Sequence, residues 1–319
     1  TKDLAWQWKE RIIEHTSLTE EDIGWISGPV EKWDWKKPIS ISTIHALANA
    51  SSAIPKEIKE FWGLIIFDEV HRLGAPYFNK AAGVCAGRRW GLSATPFRKD
   101  GLDVLYQSHI GGVLYQNLKK DVIPKVFFIS TGVELPDSRL RAVSLRGDIH
   151  VPKLYTWLGE HKKRNKLLEN IIIRSIKAKR ITLALSERVS HVKYLQSRFP
   201  ETSGALYGKV KGEDRQSILN SNQVIFAVAK VARDGLDRSD LDTAVITMPF
   251  TDRGKFEQIM GRAQRAKDPI ILILLDDIEI CRRMCFRLKR HLRDLNYPYH
   301  TISGDSYERT REEKEIESD

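Results

Sequence analysis

An α/β fold with two domains, each built on a parallel sheet, is predicted by three observations. From Ile39 onward, short apolar runs alternate with amphipathic stretches, the pattern of parallel strands joined by crossing helices. The run Leu64-Ile65-Ile66-Phe67 ends at once in Asp68-Glu69. A buried parallel strand delivers polar groups in this way to its C-terminal edge, where open α/β sheets bind ligands. The alternation lapses near Val126 and resumes near Arg164, and 319 residues suit two domains that each enclose a core.

In order along the chain, Lys2 to Glu14 carries Leu4, Trp8 and Ile12 on one face and reads as a helix with Trp8 in the core. Strands are expected at Ile39–Ser42, Leu64–Phe67 and Trp90–Ser93. Residues 1–125 then form the first domain and the less regular residues 126–161 a connection. The second domain, 162–300, starts with a helix around Arg164–Ile176, the strand Ile181–Ser186 and a helix from Ser190. Its later strands are Gly204–Tyr207, Val224–Val228, Thr243–Met248 and Ile270–Leu275. Residues 301–319 read as a charged tail, solvated or disordered.

Lys and Arg exceed Asp and Glu by 52 to 42, a net charge of +10 that favours a polyanionic partner. Cys85, Cys281 and Cys285 form no paired framework. Cys281 and Cys285 share a helical face with Leu288, Leu292 and Leu295, so core packing is expected of them rather than metal binding or a disulfide. The apolar runs are too short to span a bilayer and no secretion signal is evident, so an intracellular setting without a membrane is expected. Trp33 and Trp35, flanked by Lys32, Lys36 and Lys37, are the aromatic pair expected to be exposed for stacking on bases.

The chemistry centres on Asp68-Glu69-Val70-His71. A Mg-nucleotide site needs one carboxylate for the metal and another to polarise a water for attack on the γ-phosphate; an acidic turn at a strand end is the plainer alternative. One βα unit later, Ser93-Ala94-Thr95 ends the next strand, where a turn or helix cap is the alternative role. Gln258-Ile259-Met260-Gly261-Arg262-Ala263-Gln264-Arg265 lies on an expected helix with both arginines on one face, able to reach a phosphate.

With DEVH, SAT and QxxGRxxR in this order, the chain resembles the superfamily 2 helicases, at motifs II, III and VI. The string from Arg88 to Gly101, with Ile110 to Tyr115, is similar to the branch that holds the xeroderma pigmentosum B helicase, UvsW-type motors and type III restriction-type motors. The resemblance covers Thr1 to about Leu275. It implies two RecA-like lobes with parallel sheets, ATP and Mg²⁺ as cofactors, and DNA (duplex, branched or single-stranded) as partner.

It further implies that Asp68 holds Mg²⁺ through water and that Glu69 orients and deprotonates the attacking water. His71 would couple the nucleotide to the neighbouring lobe, and Ser93 and Thr95 would bond across to the acidic loop. Arg262 and Arg265 resemble arginine fingers, with Gln258 binding or sensing nucleotide. Ala232 to Asp237 resembles motif V, where Gly235 permits a tight turn and Asp237 reaches the ribose or the motif VI arginines. Phosphate contacts are implied for Lys2 in motif Ia, Ser42 and Thr43 in motif Ic, Arg188 after the motif IV strand, and Lys209.

No GxxxxGK[ST] P-loop is present, and Gly204 to Val210 has the wrong spacing for one. The first lobe is therefore expected to be incomplete at its N-terminus, and a portion preceding Thr1 is expected to supply the P-loop; a truncated copy unable to hydrolyse ATP is the alternative. The resulting reading is an ATP-dependent DNA helicase or translocase. A non-hydrolysing DNA-binding or regulatory subunit derived from such a motor, and a DExH RNA helicase, stand beside it.

Overall fold

The computed structural model describes residues 2–84, 87–93, 101–115, 122–139, 144–145, 148–208, 210, 212–233, 238–264 and 266–305. The chain divides into two compact units, Thr1–Lys119 and Lys120–Asp319.

The first unit runs α1 (Lys2–His15), β1 (Ile23–Ile26), β2 (Ile39–Ser42), α2 (Ile44–Ala50), α3 (Lys56–Phe61), β3 (Leu64–Asp68), α4 (Pro76–Asn79), β4 (Arg88–Leu92) and α5 (Asp103–Ile110). Its strands form two separate parallel pairs, β1 with β2 and β3 with β4. Side chains alternate along a strand, so Ile65 and Phe67 turn to one face of β3 and Leu64, Ile66 and Asp68 to the other. Phe67 packs with Ile26, Leu47, Ile58 and Leu73 in the unit's main core. The opposite face is open: Leu64, Ile66, Trp90 and Leu92 are 40–53% exposed.

Three expectations need correction here. The strand β1 was not foreseen. Trp8 does not enter the core but is 38% exposed, while Ala5, from the same helix, is buried with Ile23 and Ile41. Trp33, expected outside, is buried with its indole N–H donating to the Gly28 carbonyl at 3.1 Å. Trp35 packs edge-on against Phe61. The flanking lysines keep their charges in water while the rings go inward.

The second unit runs β5 (Lys125–Ser130), β6 (Ser144–Leu145), β7 (Asp148–Ile149), α6 (Val151–Glu160), α7 (Lys162–Lys177), β8 (Thr182–Ser186), α8 (Val189–Arg198), β9 (Ser203–Leu206), α9 (Gly212–Ser221), β10 (Val224–Val228), α10 (Ala229–Arg233), β11 (Thr243–Ile246), α11 (Arg253–Ala263), β12 (Ile270–Leu275), α12 (Glu279–Asp294) and β13 (Tyr299–Ser303). Apart from the short β6–β7 pair, its strands make one seven-stranded parallel sheet in the order β13-β5-β12-β11-β8-β10-β9. Strands such as Val-Ile-Phe-Ala-Val and Ile-Ile-Leu-Ile-Leu-Leu are apolar on both faces because both faces are covered. One side packs on Phe256, Met260, Cys285 and Leu288 from α11 and α12, the other on Leu168, Ile172, Val192 and Leu195 from α7 and α8.

The expected boundaries shift accordingly. β5, placed by its sequence in the connection, lies between β13 and β12 inside the second sheet. β13 takes residues 301–303 out of the charged tail and into an edge strand. Cys281 and Cys285 are free and buried, as packing on α12 required. Burial pushes the Cys285 thiol up to about 12, which leaves it unreactive. Cys85 lies outside the described residues. Among the described residues no helix is long and apolar enough to cross a membrane.

Candidate functional site

In the first unit, β3 and β4 run parallel with Asp68 opposite Leu92, so the acidic turn and Ser93 leave the sheet at the same edge. Asp68 Oδ1 accepts the backbone N–H of Glu69 at 2.9 Å, and Oδ2 accepts the indole N–H of Trp8 at 3.2 Å. Glu69 sits in the left-handed region at φ 52° and ψ 50°. A non-glycine residue there costs about 1–3 kcal/mol; Lys179 and Asn296 also have positive φ, each just past a helix end.

The turn brings the Glu69 carboxylate within 3.3 Å of His71 Nδ1, and the same nitrogen lies 3.0 Å from Ser93 Oγ. Both groups face the same ring nitrogen, so the imidazole hydrogen-bonds the Ser93 hydroxyl with the Glu69 carboxylate as its charged neighbour. Gly91 permits this: a Cβ there would stand 2.7 Å from Val70 Cγ2, so only glycine lets the turn pack onto β4. Four of the predicted residues, Asp68, Glu69, His71 and Ser93, therefore stand together. Ser42 and Thr43 have local partners instead. The Ser42 hydroxyl donates to the Ile26 carbonyl at 3.0 Å, and Thr43 Oγ1 caps α2 by accepting the Ala46 N–H at 3.3 Å.

In the second unit, Gln258 and Arg262 lie one turn apart on α11, both half-buried. Asp252 caps that helix by accepting the Lys255 N–H at 2.9 Å. Lys255 in turn pairs with Glu187, just past β8, and sits 4.2 Å from the Phe250 ring centroid. The neighbouring Arg188 guanidinium donates to the Pro152 carbonyl. Lys2 opens α1, without a described side chain. Thr95, Lys209, Gly235, Asp237 and Arg265 lie outside the described residues.

A buried polar network at the C-terminal strand ends of this unit has no counterpart in the sequence reading. Arg164 and Asp276, both 0% exposed, pair at 2.8 Å. Thr131 Oγ1 donates to Asp276 at 2.7 Å, and a second arm of Arg164 donates to the Thr247 carbonyl. Beside them His191 stands between Ser186 Oγ at 3.0 Å and Asn165 Oδ1 at 3.1 Å. Burial and the nearby Arg164 charge push the His191 imidazole down to about 3, so it is neutral. The network ties the ends of β5, β8, β11 and β12 to α7 and α8. No local signal marks it, because its charged partners are 112 residues apart.

The parallel strands of both units and the fully covered second sheet are the architecture of RecA-like domains. Residues 1–98 match the family described as type III restriction enzyme, res subunit, and residues 162–267 the helicase conserved C-terminal domain. The chain is 27% identical over 277 residues to the DNA 3'-5' helicase XPB of Kineococcus radiotolerans, covering 82% of this chain and 48% of that protein. To its Mycobacterium tuberculosis counterpart it is 27% identical over 285 residues, covering 82% and 49%.

Among solved structures, Saccharomyces cerevisiae Dbp5 bound to RNA and ADP BeF3 superposes with a TM-score of 0.64 at 12% identity, covering 98% of this chain and 78% of that one. Mycobacterium smegmatis helicase Lhr bound to ssDNA and AMP-PNP gives 0.58 at 16%, covering 94% and 42%. At such identities these two establish the fold. The chain belongs to the superfamily 2 helicases, within the group related to XPB and to type III restriction enzymes. It spans about half the length of the curated relatives it matches.

Proposed function

We propose that the intact protein is an ATP-dependent DNA helicase or translocase, whose hydrolytic step is carried by the Asp68-Glu69-Val70-His71 turn. The observation that carries this reading is the cluster of Glu69, His71 and Ser93, with Asp68 beside it, at the edge of two parallel strands. In this reading Glu69 orients a water and takes its proton, and His71 links the acidic turn to the neighbouring strand end.

The donor set also fits Mg²⁺. This ion keeps several waters and uses one or two carboxylates together with substrate phosphates, rather than an all-protein cage. Asp68 is an exposed carboxylate at an open edge, and among the described residues no group of three acidic, histidine or cysteine side chains forms a closed site. When bound, the ion would neutralise charge on the β- and γ-phosphates.

Arg262 and Arg265 are assigned to the developing charge on the γ-phosphate and Gln258 to sensing the nucleotide, on the strength of the QxxGRxxR motif. Thr95, Gly235 and Asp237 keep their motif roles at the nucleotide. Lys2, Ser42, Thr43, Arg188 and Lys209 are proposed to lie along a DNA strand. Contacts to the phosphate backbone suit a motor that must ignore sequence. Hydrolysis requires a P-loop, and no GxxxxGK[ST] string occurs in these 319 residues.

The test is steady-state hydrolysis by the intact protein with and without DNA. Glu69→Gln should lower DNA-stimulated turnover by about 10²–10⁴-fold while DNA affinity holds. Unchanged turnover would remove Glu69 from the mechanism. Stimulation by RNA in place of DNA would reassign the substrate.

A further inference from the structure

Outside the motifs, the strongest uncommitted feature is the outer face of α12. Its inner face, Cys281, Cys285, Leu288 and Leu292, is buried against the sheet and fixes the helix in place. On the outer face, Arg283, Phe286, Arg287, Arg290 and Arg293 follow at spacings that put them in one stripe, and all five are exposed. Between Glu279 and Asp294 the helix carries no acidic residue.

Arg283 is paired with Glu279 at one end of the stripe. Arg293 lies over Phe286 at 6.0 Å from its ring centroid. Among the described residues, Arg287 and Arg290 meet no carboxylate. Phe286, in the middle of these charges, is 60% exposed.

An ordinary solvated helix face mixes signs, because Glu–Lys pairs at i,i+4 stabilise it and like charges at that spacing destabilise it. Here guanidinium groups repeat at i,i+3 and i,i+4, and among the described residues Arg283 is the member of the stripe with a carboxylate partner. A polyanion would relieve the repulsion. Arginine in place of lysine favours phosphate, which the planar guanidinium meets with two parallel hydrogen bonds. From Arg283 to Arg293 the stripe rises about 15 Å, the axial length of about four phosphates on one strand of a duplex.

We propose that this face of α12 is an additional DNA-binding surface that grips the backbone of duplex DNA, with Phe286 packing against the sugar–phosphate edge between arginines. The proposal rests on the DNA reading given above and adds to it a contact that none of the helicase motifs contains. It predicts sequence-indifferent, salt-dependent binding, with Arg287 and Arg290 each neutralising one phosphate.

Fluorescence anisotropy of a labelled mixed-sequence duplex, titrated with the intact protein across a salt series, tests it. Arg287→Ala/Arg290→Ala should weaken binding about tenfold and lower the slope of log affinity against log salt by about 1.8. Arg287→Lys/Arg290→Lys should keep that slope while losing part of the affinity. The control is Lys177→Ala/Lys267→Ala, which removes the same charge from exposed positions off α12, ahead of β8 and β12, and should leave affinity within about twofold. All these side chains are exposed, and matching thermal melts establish that the variants fold.

Binding by the wild-type protein with the same affinity and slope in the α12 alanine variant would overturn the proposal and leave the DNA reading standing. No duplex binding by the wild-type protein would overturn the proposal, and no binding of single-stranded DNA either would overturn the DNA reading as well. Tighter binding of a polyglutamate peptide than of duplex, abolished by the same two substitutions, would overturn it in favour of an acidic protein segment.

Discussion

The strands of the two units have similar apolar character and very different surroundings. β10 and β12 are covered by helices on both faces, and their central residues are fully buried. β3 has one covered face, and Leu64 and Ile66 on the other are exposed. An apolar run therefore specifies a strand but not what covers it. The less covered unit is the one that holds the acidic turn, whereas the fully covered one hides an ion pair and a neutral histidine at the ends of its strands.

Breaking the buried pair is the largest expected effect. Arg164→Ala leaves Asp276 charged and buried without its partner, and should cost about 3–5 kcal/mol in denaturant unfolding of the second unit. Next is a matched pair of isoleucines. Ile225→Ala in β10 should cost about 2–5 kcal/mol, and Ile66→Ala in β3 less than about 0.5 kcal/mol. Equal losses would show that the face of β3 is covered after all. Gly91→Ala should cost about 1–3 kcal/mol by overpacking against Val70, and it should loosen Ser93 from His71.

The finest distinction is one of pH. His191 is held neutral, below its ordinary value of 6.5 and down to about 3, so the unfolded chain binds a proton there that the folded chain does not. Its contribution is complete above pH 6.5 and is lost as pH falls toward 3, with a slope of at most about 1.4 kcal/mol per pH unit. His191→Gln should flatten that part of the stability–pH curve.

Much of the candidate site was legible because it is local. Asp68, Glu69 and His71 are nearly adjacent in sequence, and Ser93 follows by one βα unit, so a strand run and a spacing sufficed. That Gln258 and Arg262 lie on a helix followed from periodicity, while their assignment to the nucleotide rests on the resemblance. What escaped depends on distant partners. β5 reads as irregular until β12 and β13 flank it, and Tyr-His-Thr-Ile-Ser has no apolar pattern that separates an edge strand from a tail. Trp8 was assigned to the core from its helical stripe, yet its indole N–H meets Asp68, 60 residues away. Arg164 and Asp276 are unremarkable singly and become informative only when the sheet brings four strand ends together.

The central claim, that Glu69 and Arg262 both serve the ATP-hydrolysing step, is tested most directly by a double-substitution cycle on DNA-stimulated ATP turnover in the intact protein. Glu69→Gln and Arg262→Ala should each lower kcat by about 10²–10⁴-fold, and the double variant should fall little below the slower single. Losses that multiply in the double variant, or turnover untouched by either substitution, would contradict it.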